Sequence, residues 1–188
     1  MTRRVVVAIS GASGAIYGIR ALELLRQVED VEAHLVISAA ARSTITVETD
    51  FTAVEVEALA DEVHNVRAIG APIASGSFNT AGMIVAPCSI KSLSAIANSF
   101  SADLIARAAD VTLKERRPLV LMVRETPFHL GHLRLMKRVT EIGAVVYPPV
   151  PALYNRPATI DDLVTHSTGR ALGHLGIDIP GLKSWEGL

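Results

Sequence analysis

Three observations predict an α/β fold with a doubly wound parallel sheet. Strand-like and helix-like segments alternate along the 188 residues, the strand segments are continuous apolar runs, and the loops between them are short. Apolar runs without polar alternation suit strands covered on both faces, and alternation with helices makes them parallel. The first strand is Val5–Ser10, VVVAIS, followed by a Gly-rich turn and a helix over Ala15–Gln27. The second strand is Glu32–Ile37, with helices at Ala39–Thr46 and Thr52–Glu62. The third, Met83–Ala86, leads into helices at Ile90–Asn98 and Asp103–Glu115. The fourth, Leu119–Val123, precedes a helix over Leu130–Ile142. The fifth, Ala144–Tyr147, precedes a helix over Ile160–Leu175. No linker or internal repeat interrupts this order, so residues 1–188 read as one domain with a Rossmann-like or flavodoxin-like sheet.

Composition narrows the function classes. Hydrophobic residues make up 49% of the chain, charged residues 20%, and the formal net charge is −1. Without a long basic stretch, nucleic-acid binding gains no support. Mean hydropathy is +0.36, which fits either a buried Ala- and Val-rich sheet or oligomer interfaces. One cysteine, Cys88, allows no intrachain disulfide and fits a reducing cytoplasm. No stretch reaches transmembrane length. Arg3 and Arg4 precede an apolar run that stops at Ser10-Gly11, too short for a signal peptide.

Ligands of doubly wound sheets bind beyond the carboxyl ends of the strands. Those ends run into Gly11-Ala12-Ser13-Gly14, Ser38, Pro87-Cys88-Ser89-Ile90-Lys91-Ser92, Arg124-Glu125 and Pro148–Tyr154. Hydroxyls, two cations, a carboxylate and a phenol therefore share one edge. The first turn opens a helix and is a ready anion site. It carries Ser13 where a dinucleotide fingerprint has Gly, and the second strand ends at Ser38 rather than an acid. Phosphate or a flavin-type mononucleotide is favoured over NAD.

Each motif also has a plain structural reading. Ser13 and Ser89 can cap helices. Lys91 at a helix start opposes the macrodipole unless an anion binds. Asp110 and Lys114 are spaced as a helical ion pair, and Arg116 and Arg117 read as a solvated face. Arg124-Glu125 suits a phosphate clamp or a surface ion pair. Asp50 reads as the cap of the helix near Thr52. Cys88 reads as a small buried apolar residue rather than a nucleophile. His129 and His132 lack the carboxylate of an HExxH pattern, so no metal site is expected.

Taken together, the strings ISGASGAIYG (Ile9–Gly18), ETD (Glu48–Asp50), ASGS (Ala74–Ser77), APCSIKSLSAIA (Ala86–Ala97), RAADVTLKERRPLVLMVRETP (Arg107–Pro127) and IGAVVYPPVPALY (Ile142–Tyr154), with Arg170, resemble the flavin prenyltransferases of the UbiX type. The resemblance implies transfer of a dimethylallyl group from dimethylallyl monophosphate to reduced FMN, first at N5 and then at C6, without a metal. It implies prenylated FMN as product, UbiD-type decarboxylases as recipients, a role in ubiquinone biosynthesis, and a dodecamer with sites between subunits. By the same resemblance, Gly11, Ala12, Ser13, Ser38, Ser89, Ile90, Lys91, Ser92 and Arg124 contact FMN. Lys114, Arg124, Tyr154 and Arg170 clamp the donor phosphate, Glu125 is the acid beside it, and Ser13 with Glu48 relays a proton. The chain departs from some relatives at Ile69-Gly70-Ala71-Pro72, where they carry a Trp; Trp185 reads either as a closing residue or as a packing one. A non-catalytic FMN carrier, or an accessory subunit of an aromatic-acid decarboxylase, is the alternative function. A cysteine decarboxylase of the related flavoproteins lacks support, because its Met/Asn clamp and active-site His are missing here.

Overall fold

The structure, a computed structural model, describes residues 2–182 and 187. Six strands form one parallel sheet in the order β3-β2-β1-β4-β5-β6. They are β1 (Arg3–Ile9), β2 (Val31–Ile37), β3 (Glu62–His64), β4 (Gly82–Cys88), β5 (Leu119–Val123) and β6 (Val145–Val146). The helices are α1 (Ala15–Leu25), α2 (Ala39–Glu48), α3 (Ala53–Glu57), α4 (Ile90–Ala97), α5 (Leu104–Lys114), α6 (Leu130–Glu141) and α7 (Ile160–Gly173). Two 3₁₀ turns lie at Pro72–Ala74 and Leu153–Asn155. Among the described residues no helix is long and apolar enough to cross a membrane.

The β1 run explains the layering. Its side chains alternate between faces, and both faces are buried. Val5, Val7 and Ile9 join α1, α7 and the apolar residues of α2 and α3 in one core. Val6 and Ala8 join α4, α5 and Val139 of α6 in the other. Gly18 lets α1 sit directly on the sheet, because a Cβ there would collide with the Ala86 carbonyl and stand 2.6 Å from Ile9. Chain order reverses between β1 and β4, so the crevice at their carboxyl ends is the switch point of the sheet.

The expected doubly wound α/β class is what forms, and β5 spans the expected residues. Three local expectations are corrected. The helix expected over Thr52–Glu62 stops at Glu57, and Glu62–His64 is an additional edge strand. Pairing creates that strand: it lies beside β2, and Asp61 accepts from the Ala33 N–H at 2.7 Å. Thr52, not Asp50, caps α3, through a reciprocal capping box with Glu55. Asp110 does not pair with Lys114. It binds Arg107 at 3.2 Å, while Lys114 turns to Glu115.

Candidate functional site

Ser10, buried at the end of β1, fastens the switch point. Its hydroxyl donates to the Pro87 carbonyl at 2.8 Å and accepts from the Ser89 N–H at 2.8 Å. One side chain thus locks the turn after β1 to the turn after β4. Across the crevice, Gly11 lies so close to α2 that a Cβ on it would collide with Ala40.

Three helices begin at this edge. The hydroxyl of Ser38 caps α2 by accepting from Ala41 N–H at 3.1 Å. The hydroxyl of Ser89 caps α4 by accepting from Ser92 N–H at 3.2 Å and donates to the Ser92 hydroxyl. The remaining first-turn N–H groups of α2 and α4, including that of Ile90, have no partner within their own helices. Both helix starts therefore suit an anion such as a phosphate, and the closeness of Gly11 to Ala40 suits a flat group lying against backbone.

The start of α1 differs from expectation. Ser13 does not cap it; the N-cap is Gly14, in left-handed backbone at φ 98°. The anion here is internal: the Glu48 carboxylate accepts from Gly14 N–H at 2.7 Å and from Ala15 N–H at 3.3 Å. The Ser13 hydroxyl bonds the same carboxylate. Desolvation alone would raise the Glu48 pKa. The hydrogen bonds from Gly14, Ser13 and Ala15, with the charge of Arg124, outweigh it and hold the group below its usual value. Tyr17 packs beside Gly14, and burial raises its phenol against the opposing charge of Arg124. Ser13, Glu48, Tyr17 and Arg124 thus share one neighbourhood. Of the two readings of Arg124-Glu125, the local ion pair does not form: the Glu125 carboxylate accepts from the Thr126 N–H at 2.9 Å.

A second group lies where the segment after β6 meets α7. The Arg170 guanidinium donates to the Tyr147 hydroxyl, and burial still leaves that phenol's pKa raised. The rings of His174 and Tyr147 meet edge to face, 5.7 Å between centroids. Tyr154 lies near enough to Tyr147 to act on its charge, and its hydroxyl is 3.4 Å from His166 Nε2.

Two expected site residues stand apart. Lys91 is largely exposed and its ammonium lies 4.0 Å from Asp103, so at this edge it offers its backbone N–H. Lys114 ends α5 at the amino edge of the sheet, below β5, whereas Arg124 follows the carboxyl end of that strand. Five residues of strand rise place the two about 17 Å apart along the sheet. The Lys114 ammonium lies on Gly76 of the ASGS string, beside Ser75 and Ser77, whose hydroxyls are 2.9 Å apart. Ile69 is exposed on the same connection. Trp185 lies outside the described residues. Cys88 is fully buried and its thiol is pushed up to about 12 by desolvation. His129 and His132 rings are 3.6 Å apart, and among the described residues no group of three or more His, Cys, Asp or Glu side chains could hold a metal.

Sequence reasoning missed Ser10, Tyr17 and Tyr147. Ser10 had a signal, a lone hydroxyl closing a β-branched strand. The others show only through packing.

Comparison with known proteins shows what the whole chain is similar to. The Flavoprotein family model matches residues 1–171. The flavin prenyltransferase UbiX of Escherichia coli (strain K12) is 57% identical over 187 residues, covering 98% of this chain and 99% of the relative. The flavin prenyltransferase UbiX of Neisseria meningitidis serogroup B is 57% identical over 188 residues, covering 100% and 99%. The crystal structure of AnUbiX (PadA1) in complex with FMN and dimethylallyl pyrophosphate superposes with TM-score 0.97 at 51% identity, covering 100% of both chains. A dodecameric FMN-dependent UbiX-like decarboxylase from Escherichia coli O157:H7 gives TM-score 0.95 at 45% identity, covering 98% and 100%.

Proposed function

The chain belongs to the flavoprotein family and, within it, to the flavin prenyltransferases of the UbiX type, and from that footing we propose how its residues divide the reaction. We infer that the enzyme moves a dimethylallyl group from dimethylallyl monophosphate to reduced FMN, at N5 and then C6, and so makes prenylated FMN for UbiD-type decarboxylases of ubiquinone biosynthesis. Its relatives named flavin prenyltransferase, and the related structure complexed with FMN and dimethylallyl pyrophosphate, support prenyl transfer to flavin. Reduced flavin, when bound, supplies the nucleophile; the protein positions the partners and shields them from water.

The observation that carries the assignment of roles is the crevice between β1 and β4. Glu48 occupies the α1 donors there, which leaves the starts of α2 and α4 for the flavin phosphate. Gly11, Ala12, Ser13, Ser38, Ser89, Ile90, Ser92 and the Lys91 backbone would hold FMN, with Arg124 beside it. Ser13 and Glu48 form the proton relay, since hydroxyl and carboxylate are already bonded. Breaking the C–O bond of the donor leaves an allylic cation, and the departing phosphate takes a proton from Glu125 and leaves as the hydrogen phosphate dianion. Arg124, Arg170 and Lys114, with the Tyr154 hydroxyl, stabilise that dianion.

Lys114 cannot reach the Arg124 edge of its own subunit, so in this reading it serves the site of a neighbour. Assembly as a dodecamer, the state of the Escherichia coli O157:H7 relative, supplies that neighbour. The reading treats residues 1–188 as one FMN-binding unit and places the enzyme in the cytoplasm, in keeping with its single cysteine.

Anaerobic incubation with reduced FMN and dimethylallyl monophosphate, followed by mass analysis of the released flavin, tests the assignment. A flavin heavier by one C₅H₈ unit is the expected result. Unmodified flavin that is demonstrably bound would favour the carrier role instead.

A further inference from the structure

We propose that Arg117 is a positioning residue for Lys114, acting through the turn at Gly76–Thr80 that it fastens. The inference rests on the reading of Lys114 as a donor-phosphate ligand.

The end of α5 places Arg117. Arg116 adopts left-handed backbone at φ 58°, and the N–H groups of Arg116 and Arg117 return to the carbonyls of Leu113 at 3.0 Å and Thr112 at 2.9 Å. This double return is a Schellman closure, and it swings the next side chain back across the amino edge. The Arg117 guanidinium then donates to the Phe78 carbonyl through Nη1 at 2.8 Å and to the Gly76 carbonyl through Nη2 at 2.8 Å. Its Nη1 also lies 3.5 Å from the Thr80 hydroxyl. A planar fork holds two carbonyls in fixed relation, which an ammonium does not.

The turn is anchored from its far side as well. The Phe78 ring meets the His34 ring edge-on at 5.2 Å, and the Arg4 guanidinium sits 4.8 Å from its centroid. With its carbonyls held by Arg117 and its aromatic ring held by His34 and Arg4, the turn cannot drift independently of the sheet.

What the turn presses on is Lys114. A Cβ on Gly76 would overlap the Glu115 carboxylate and stand 2.6 Å from Lys114 Nζ. The backbone of Gly76 thus lies directly on the Lys114–Glu115 ion pair and blocks part of the space a long, half-exposed side chain would otherwise sweep. A restrained lysine loses less conformational freedom when it takes up a phosphate. The contact that restrains it exists only while the turn stays in place, and Arg117 keeps it there.

The test compares Arg117→Ala and Arg117→Lys in two backgrounds, the otherwise unchanged enzyme and Lys114→Ala. Four quantities are read: KM and kcat with dimethylallyl monophosphate, calorimetric Kd of that donor, Kd of FMN, and melting temperature. Arg117→Ala is expected to raise donor KM and Kd about tenfold while kcat and FMN Kd stay within about twofold. Arg117→Lys keeps at most one carbonyl and remains impaired; it carries the comparison if the alanine variant fails to fold. In the Lys114→Ala background either change adds less than about twofold, because the residue through which Arg117 acts is gone. Equal losses in both backgrounds would reveal a merely structural role and overturn the proposal. An unchanged donor Kd in Arg117→Ala, with Lys114→Ala impaired, overturns it alone. An unchanged donor Kd in Lys114→Ala overturns the phosphate reading along with it.

Discussion

The carboxylate of Glu48 accepts the backbone N–H of Gly14 at 2.7 Å, across thirty-four residues of sequence. A side chain at the end of α2 thereby supplies the negative charge that the start of α1 attracts. Glu48→Gln keeps an acceptor for Gly14 but removes the charge and the proton-accepting group. Turnover should fall about a hundredfold with FMN affinity within a few-fold, since proton transfer typically contributes that much or more. Single-turnover formation of the modified flavin, beside FMN titration, checks it; an equal loss of FMN affinity would make Glu48 a binding residue instead.

The same carboxylate has a pH signature. Its folded pKa is depressed, so its stabilising contribution is present above the ordinary carboxylate value and lost as pH falls through the folded one. The stability difference between the unsubstituted protein and Glu48→Gln should therefore shrink as pH is lowered below about 4.5. Denaturant midpoints at several pH values measure it, and a difference that grows on acidification would contradict the assignment.

The buried pair His34 and His64 titrates in a milder range. His34 Nδ1 and His64 Nε2 are 2.9 Å apart, and the rings stack at 5.2 Å. Desolvation lowers both; the nearby Glu32 opposes this at His34, and the neighbouring His34 adds to it at His64. Neutral imidazoles are favoured in the folded state, so the stability they confer is complete above about pH 6.5 and declines as pH falls below it. Thermal melts between neutral and mildly acidic pH should show that decline, and His64→Gln should flatten it. A variant whose slope matches the unsubstituted protein would exclude the pair as its source.

Ser10→Ala removes one hydroxyl and strands the Ser89 N–H, while the Pro87 carbonyl keeps only the Ser10 backbone N–H at 3.2 Å. The expected cost is about 1–3 kcal/mol of stability, with weaker FMN binding because the turn after β4 is tied to β1 by one hydrogen bond fewer on each side of Pro87-Cys88-Ser89. Chemical denaturation and flavin titration report the two effects. Loss of stability with unaltered FMN affinity would confine Ser10 to a structural role.

Cys88 should resist alkylation in the native protein, since full burial pushes its thiol to about 12. Iodoacetamide labelling before and after unfolding, read by mass spectrometry, checks this. Ready native labelling would mean that the end of β4 opens.

Much of this was legible in the residues, and the gaps have physical causes. The buried strands announced themselves because a parallel sheet demands apolar side chains on both faces. The strand ends Ser38, Ser89 and Arg124 followed from that same sheet. Glu62–His64 was hidden because a three-residue edge strand owes its form to pairing with β2, not to local pattern. Ser13 admits both a cap and a ligand contact in the sequence, because spacing alone does not show that Glu48 folds back to take the α1 donors. Arg117 was read as solvated because its partners are backbone carbonyls some forty residues earlier. Long-range hydrogen bonds to backbone leave no trace in side-chain spacing.

The separation of Lys114 and Arg124 to opposite edges of β5 bears on heredity as well as chemistry. If each site borrows Lys114 from next door, a Lys114→Ala chain still offers an intact Arg124 edge, and an Arg124→Ala chain still offers an intact lysine. Two alleles that are each inactive alone could then rescue one another in a cell expressing both, because some contacts in a mixed assembly would join the two undamaged halves. Two alleles damaged at Glu48 and at Arg124, which belong to the same edge of one subunit, would show no such rescue.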